Sequence, residues 1–101
     1  MENSDFVVMT TAEAKPGEEK IAQQALRDVA DAARKQSGCI EYRVFRSAEN
    51  PAVTVNVEQW ISKDERDAFL AGADVEKFVS AVSGAFVESP QPETYEILDE
   101  A

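Results

Sequence analysis

Asn56, Glu58 and Trp60 stand at alternate positions of one run, Val53-Thr54-Val55-Asn56-Val57-Glu58-Gln59-Trp60. In an extended strand residues two apart share a face, so Thr54, Asn56, Glu58 and Trp60 point one way and Val53, Val55 and Val57 the other. An amide, a carboxylate and the only tryptophan of the chain line a polar-spotted pocket better than they fill a plain core. The amide can donate to a developing anion, the indole can cover a flat ring and exclude water, and the carboxylate can move a proton. Each also has a structural reading. Asn56 can satisfy neighbouring backbone, Trp60 can be core or interface packing, and Glu58 can pair across strands with Arg43 or Arg46 or cap a helix. The valine face is uniformly apolar and needs a cover of its own.

Composition narrows the chemistry further. No histidine occurs among the 101 residues, which removes the commonest metal ligand and general base. Cys39 is alone, so no intrachain disulfide or multi-cysteine metal site can form, and it reads as a small buried apolar residue. A formal charge of −10, from 20 acidic and 10 basic residues, argues against binding nucleic acid through its phosphates, which requires clustered Lys and Arg. That acidity reads as a solvated surface, with adaptation to high salt as the other reading. No run approaches the roughly 18 apolar residues of a membrane span, and Met1-Glu2-Asn3-Ser4-Asp5 is acidic and polar, unlike a signal peptide. A cytoplasmic protein with no membrane partner is expected. Residues 1–101 form a single domain by length, small enough that a partner subunit would help to complete its core.

The elements that must hold the mixed strand follow in order. Phe6-Val7-Val8-Met9-Thr10-Thr11 is apolar on both parities and predicts a strand buried on both faces. After a turn at Lys15-Pro16-Gly17, the residues Ile21, Ala22, Ala25, Leu26, Val29, Ala30 and Ala33 recur at three- and four-residue steps, predicting a helix from Glu18 to about Gln36 that packs flat on the sheet. Gly38 marks its stop. Gly38 to Ser47 and Val53 to Trp60 form a hairpin broken at Ala48 to Pro51. Ser62 and Glu65 have capping-box spacing, so a short helix with Ala68, Phe69 and Leu70 starts there. Ala71-Gly72-Ala73 interrupts it, and Asp74 caps a segment whose stripe is Val75, Phe78, Val79, Val82 and Phe86. Thr94 to Leu98 alternates as the final strand. This β-α-β-β-α-β order is the ferredoxin-like α+β plan, one antiparallel sheet with helices on one side. Strand one is apolar on both parities and strand three carries the uniformly apolar valine face, so a homodimer through facing sheets is expected, burying on the order of 800 Å² per subunit.

Lys15-Pro16-Gly17 before the helix, Gly38-Cys39 with Tyr42 three residues on, the Arg46-Ser47 strand end and Glu58-x-Trp60 together resemble the antibiotic biosynthesis monooxygenase family. The resemblance runs from about Phe6 to Leu98. It implies a dimeric α+β barrel with the mixed strand face under the helices, so that Phe69, Phe78 and Val82 line a substrate pocket as well as a core. Members that oxidise anthrones and quinols use molecular oxygen with no cofactor, neither metal nor flavin, because an electron-rich phenolate can itself give an electron to oxygen. In the anthrone-oxidising type an asparagine four residues before the tryptophan, on the same strand face, binds the substrate oxygen. Asn56 and Trp60 match that pair and are the implied catalytic residues. A tyrosine of that type lies a few residues after the tryptophan. Arg66 stands near that position here, either to attract a phenolate or carboxylate substrate or as a solvated charge. Haem-degrading and furanone-processing relatives depend on histidine, so a histidine-ligated haem is excluded. Two functions follow: a cofactor-independent monooxygenase acting on a quinol or anthrone-like hydroxyaromatic, and a non-catalytic dimer that binds a small apolar or aromatic molecule or serves as a structural accessory.

Overall fold

The computed structural model describes residues 6–99; the acidic stretch Met1 to Asp5 read above lies outside them. The elements are β1 (Phe6–Glu13), α1 (Glu19–Arg34), β2 (Cys39–Arg46), β3 (Val53–Trp60), α2 (Lys63–Leu70), α3 (Ala73–Ala81) and β4 (Gln91–Glu96). All four strands join one antiparallel sheet in the order β2-β3-β1-β4. This is the expected ferredoxin-like plan with its second helix split in two. No helix among the described residues is long and apolar enough to cross a membrane.

Burial along β3 decides which sheet face is covered. Thr54, Asn56, Glu58 and Trp60 are buried, whereas Val53, Val55, Val57 and Gln59 are only half-buried. The helices therefore lie on the mixed face. The stripe on α1 buries Ala22, Ala25, Leu26, Val29, Ala30 and Ala33, and its alanines let the helix come close to the sheet. Val29, Ala30 and Ala33 meet Tyr42, Trp60 and Phe69 in the main core cluster. On the far face, cross-strand register sets Val57 beside Met9 and Arg43, Val55 beside Phe45, and Val7 beside Tyr95. Met9, Phe45 and Tyr95 are exposed there. Strand β1 is buried on both parities only at Val7 and Val8; by Met9 the side chain is 36% exposed.

Several boundaries differ from the pattern-based expectation for physical reasons. Gly17 adopts a left-handed φ of +87° in its turn, as Lys15-Pro16-Gly17 predicts. Gly38 does not act as a left-handed stop, because α1 ends on Lys35 with right-handed backbone. It supplies room instead: a Cβ at Gly38 would lie 2.7 Å from the Cβ of Glu65 on α2. Ser62 caps α2, its hydroxyl accepting from the Glu65 N–H at 3.2 Å. Asp74 does not cap α3. The helix resumes two residues after Ala71 with Gly72 at the cap, which places Asp74 already inside the first turn, where its charge suits the helix dipole. Strand β4 starts three residues earlier than Thr94, and Pro92 is tolerated within it because β4 is an edge strand paired only with β1.

Candidate functional site

Beneath the three helices the mixed face opens into a cleft of about 110 Å³. Its polar lining is Thr10 from β1, Tyr42 from β2, Asn56 and Glu58 from β3, and Arg66 from α2; its apolar walls are Val29, Phe69, Leu70, Val75 and Phe78. Antiparallel register places Tyr42 directly opposite Glu58 and Asn56 opposite Thr10 and Val44, so three strands deliver polar groups to one floor.

Glu58 is 3% exposed and both its oxygens are engaged. Oε1 accepts from the indole Nε1 of Trp60 at 2.9 Å and from Nε of Arg66 at 2.9 Å, and Oε2 accepts from Nη2 of Arg66 at 3.3 Å. A carboxylate withdrawn this far from water stays in place only when its charge is matched and its lone pairs are used. The fork of Arg66, whose side chain is 15% exposed, meets both needs. Above this pair Asn56 Nδ2 donates to the Tyr42 hydroxyl at 3.3 Å.

Burial, reinforced by the negative charge of Glu58, pushes the Tyr42 hydroxyl far above its ordinary value. Tyr42 is therefore a neutral hydrogen-bond donor at working pH and not a base. The same shift has a consequence for stability. In the unfolded chain the phenol ionises near pH 10, so below that pH Tyr42 causes no pH dependence. Above it the unfolded chain releases a proton that the folded chain keeps, and stability falls. Alkaline titration followed by circular dichroism should show this decline from pH 10 upward, and Tyr42→Phe should decline less steeply; equal slopes would count against the buried phenol. Cys39 is half-buried, and desolvation followed by the charge of Glu58 raises its pKa, so it rests as a thiol rather than a reactive thiolate.

The residues picked from sequence divide in this site. Asn56, Arg66, Phe69 and Phe78 come together in the cleft. Trp60 is fully buried and stands behind Glu58, its ring tilted against Phe69 with centroids 5.5 Å apart, so the indole has no face open to a ligand. Val82 belongs to a second cluster with Ala25 and Ala85, joined to the first through Phe78. Glu58 pairs with neither Arg43 nor Arg46. Arg43 shares the far face with its strand partner Val57 and lies 5.3 Å over the ring of Phe45, while Arg46 reaches Gln23 at 3.4 Å. Arg66 is no solvated charge, because it closes the buried pair. Sequence reasoning left Tyr42 without a role. Its signal was the hairpin register, which puts it opposite Glu58.

Residues 5–81 match the family profile described as antibiotic biosynthesis monooxygenase. The chain belongs to this family. Solved structures agree on the fold. A Pseudomonas aeruginosa protein, 15% identical over 98% of this chain and 99% of that one, superimposes with a TM-score of 0.90. A Nitrosomonas europaea protein that bears the family's name is 17% identical over 97% and 94% of the two chains, with a TM-score of 0.89. A Mycobacterium tuberculosis protein is 19% identical over 95% and 97%, with a TM-score of 0.86. No curated protein matches the chain in sequence. In this member of the family the asparagine of the Asn56–Trp60 pair faces the cleft, the tryptophan is core, and a tyrosine reaches the cleft from the neighbouring strand.

Proposed function

We propose that the chain is a cofactor-independent monooxygenase acting on a quinol or anthrone-like hydroxyaromatic. Family membership supports the reaction class, and one observation carries the site: a buried amide, Asn56, opens beside a tyrosine hydroxyl onto an apolar cleft. An ionised hydroxyaromatic is electron-rich enough to pass one electron to oxygen. The resulting radical and superoxide combine into a carbon–oxygen bond, and the hydroperoxide so formed loses water as its O–O bond breaks. For an anthrone, the CH₂ group becomes C=O, one oxygen atom enters the product, and the other leaves with two hydrogens as water. Asn56 and Tyr42 donate to the substrate oxygen as it carries negative charge, and the walls of Phe69, Val75 and Phe78 keep bulk water from that charge. Trp60 acts as a positioning residue through Glu58 and Arg66. A second copy covers the far face at Val55, Val57, Met9, Phe45 and Tyr95, completing a barrel of two facing sheets.

Oxygen uptake and quinone absorbance on metal-free protein, with a panel of quinols and anthrones, test this reading. Wild type should turn over at least one of them as a particle of twice 11.1 kDa in sedimentation, and Asn56→Ala should lose at least tenfold in kcat/KM, about 1.4 kcal/mol of transition-state stabilisation. Turnover at the buffer rate from a folded dimer would favour the second reading, a dimer that binds small hydroxyaromatics without converting them. The observation behind that reading is the state of the lining groups: both oxygens of Glu58 are engaged and Tyr42 keeps its proton, so the substrate must bring or shed its charge without help from a free base.

A further inference from the structure

The cleft of about 110 Å³ is well below the roughly 300 Å³ at which small-molecule sites usually begin. On the other side of two of its wall residues lies a groove between α1 and α3 of about 160 Å³, bounded by Ala25, Asp28, Ala32, Asp74 and Lys77. Val29 and Phe78 line both spaces, and without them the two together approach that lower limit. The two wall residues differ in how they are held. Val29 is buried on the sixteen-residue α1 in the main core. Phe78 is half-buried, bridges both core clusters, and also borders a third hollow beside Val82 and Pro90. It rides on α3, nine residues long, with no side-chain cap and no buried residue. Elements with so little buried surface open locally at low free energy.

We propose that Phe78 is the partition that sets ring-size specificity. With its ring in place, the cleft takes a single hydroxyaromatic ring. With the ring swung aside on α3, cleft and groove join into a site for two- and three-ring hydroxyaromatics, the hydroxyl end at Asn56 and the distal ring between α1 and α3. The rim there carries two carboxylates, Asp28 and Asp74, against one ammonium, Lys77, which selects a neutral distal ring over an anionic one. This inference rests on the hydroxyaromatic reading of the site.

The test is binding without turnover. Isothermal titration under nitrogen would compare 4-methylphenol, 2-naphthol and anthrone on wild type, Phe78→Ala and Phe78→Trp, with Phe78→Leu as the milder cavity variant should the alanine protein fail to fold. Phe78→Ala should improve the affinity for anthrone relative to 4-methylphenol by at least tenfold, Phe78→Leu by a smaller factor, and Phe78→Trp should weaken anthrone and 2-naphthol relative to 4-methylphenol by at least tenfold. Binding with the same ring-size preference in every variant would overturn the partition and leave the functional reading standing. No binding of any of the three compounds to wild type or to a folded cavity variant would overturn the hydroxyaromatic reading and the partition with it.

Discussion

Glu58→Ala should lower the unfolding free energy by about 3 kcal/mol, the low end of the cost of stripping one partner from a buried ion pair. Two donors lose their acceptor at once, the guanidinium of Arg66 and the indole N–H of Trp60. The indole has no route to water, since Trp60 is fully buried, and an unmet buried donor costs about 1–3 kcal/mol by itself. Arg66 retains some exposure and can turn outward, which keeps the total from the upper end. For a domain whose whole stability is on the order of 5–15 kcal/mol, the melting temperature should fall by on the order of 15 °C. Glu58→Gln keeps an acceptor oxygen and should cost less. The double variant Glu58→Met, Arg66→Met exchanges the pair for apolar volume and should recover the share of the loss that comes from the stranded guanidinium, while the indole N–H of Trp60 stays unmet. Urea unfolding of the four proteins decides it; a Glu58→Ala protein within 1 kcal/mol of wild type would mean that the pair is not closed in solution.

That network also marks where the sequence stopped being legible. Alternation is a local property, so period two alone set Asn56, Glu58 and Trp60 on one face of β3. Which face the helices cover is not local. Val53, Val55 and Val57 have the look of a core, yet the buried set is the polar one, because its partners come from elsewhere in the chain: Tyr42 fourteen residues before Asn56 and Arg66 eight residues after Glu58. The family resemblance implied that placement; periodicity could not. Misplaced details share this cause. Gly38 reads as a helix stop from its position after a basic turn, and only the packing of α2 shows that it makes room for Glu65. Asp74 reads as a cap until the shortness of the link before α3 is known, and the final strand reads from Thr94 until β4 is seen to be an edge that tolerates Pro92. The stretch after Trp60 was legible where a side chain answers to its own neighbours, as Ser62 does in capping Glu65.

Trp60→Ala should be the most damaging single change in the chain, about 4 kcal/mol, within the range for removing a large aromatic from a core. The vacated space lies among Phe69, Val29, Ala30 and Ala33, and three of these neighbours sit on α1, a sixteen-residue helix that cannot collapse inward without lifting the rest of its stripe. Trp60→Phe separates packing from hydrogen bonding. It keeps an aromatic against Phe69 but deletes the donor to Glu58, and should cost about 1.5–3 kcal/mol, as for a hydrogen bond to a charged acceptor. In a Glu58→Ala background the indole N–H is already an unmet donor, so the Trp60→Phe penalty should shrink by at least about 1.5 kcal/mol; strict additivity would show that the indole and the carboxylate are not coupled. The same variant tests what the indole does for the site. With no face open to a ligand, Trp60 acts only through the Glu58–Arg66 pair, so Trp60→Phe should bind hydroxyaromatics within twofold of wild type while unfolding at lower urea. A tenfold loss of binding at unchanged stability would instead put the indole in contact with the ligand, and the floor of the cleft would have to open as far as β3's last residue.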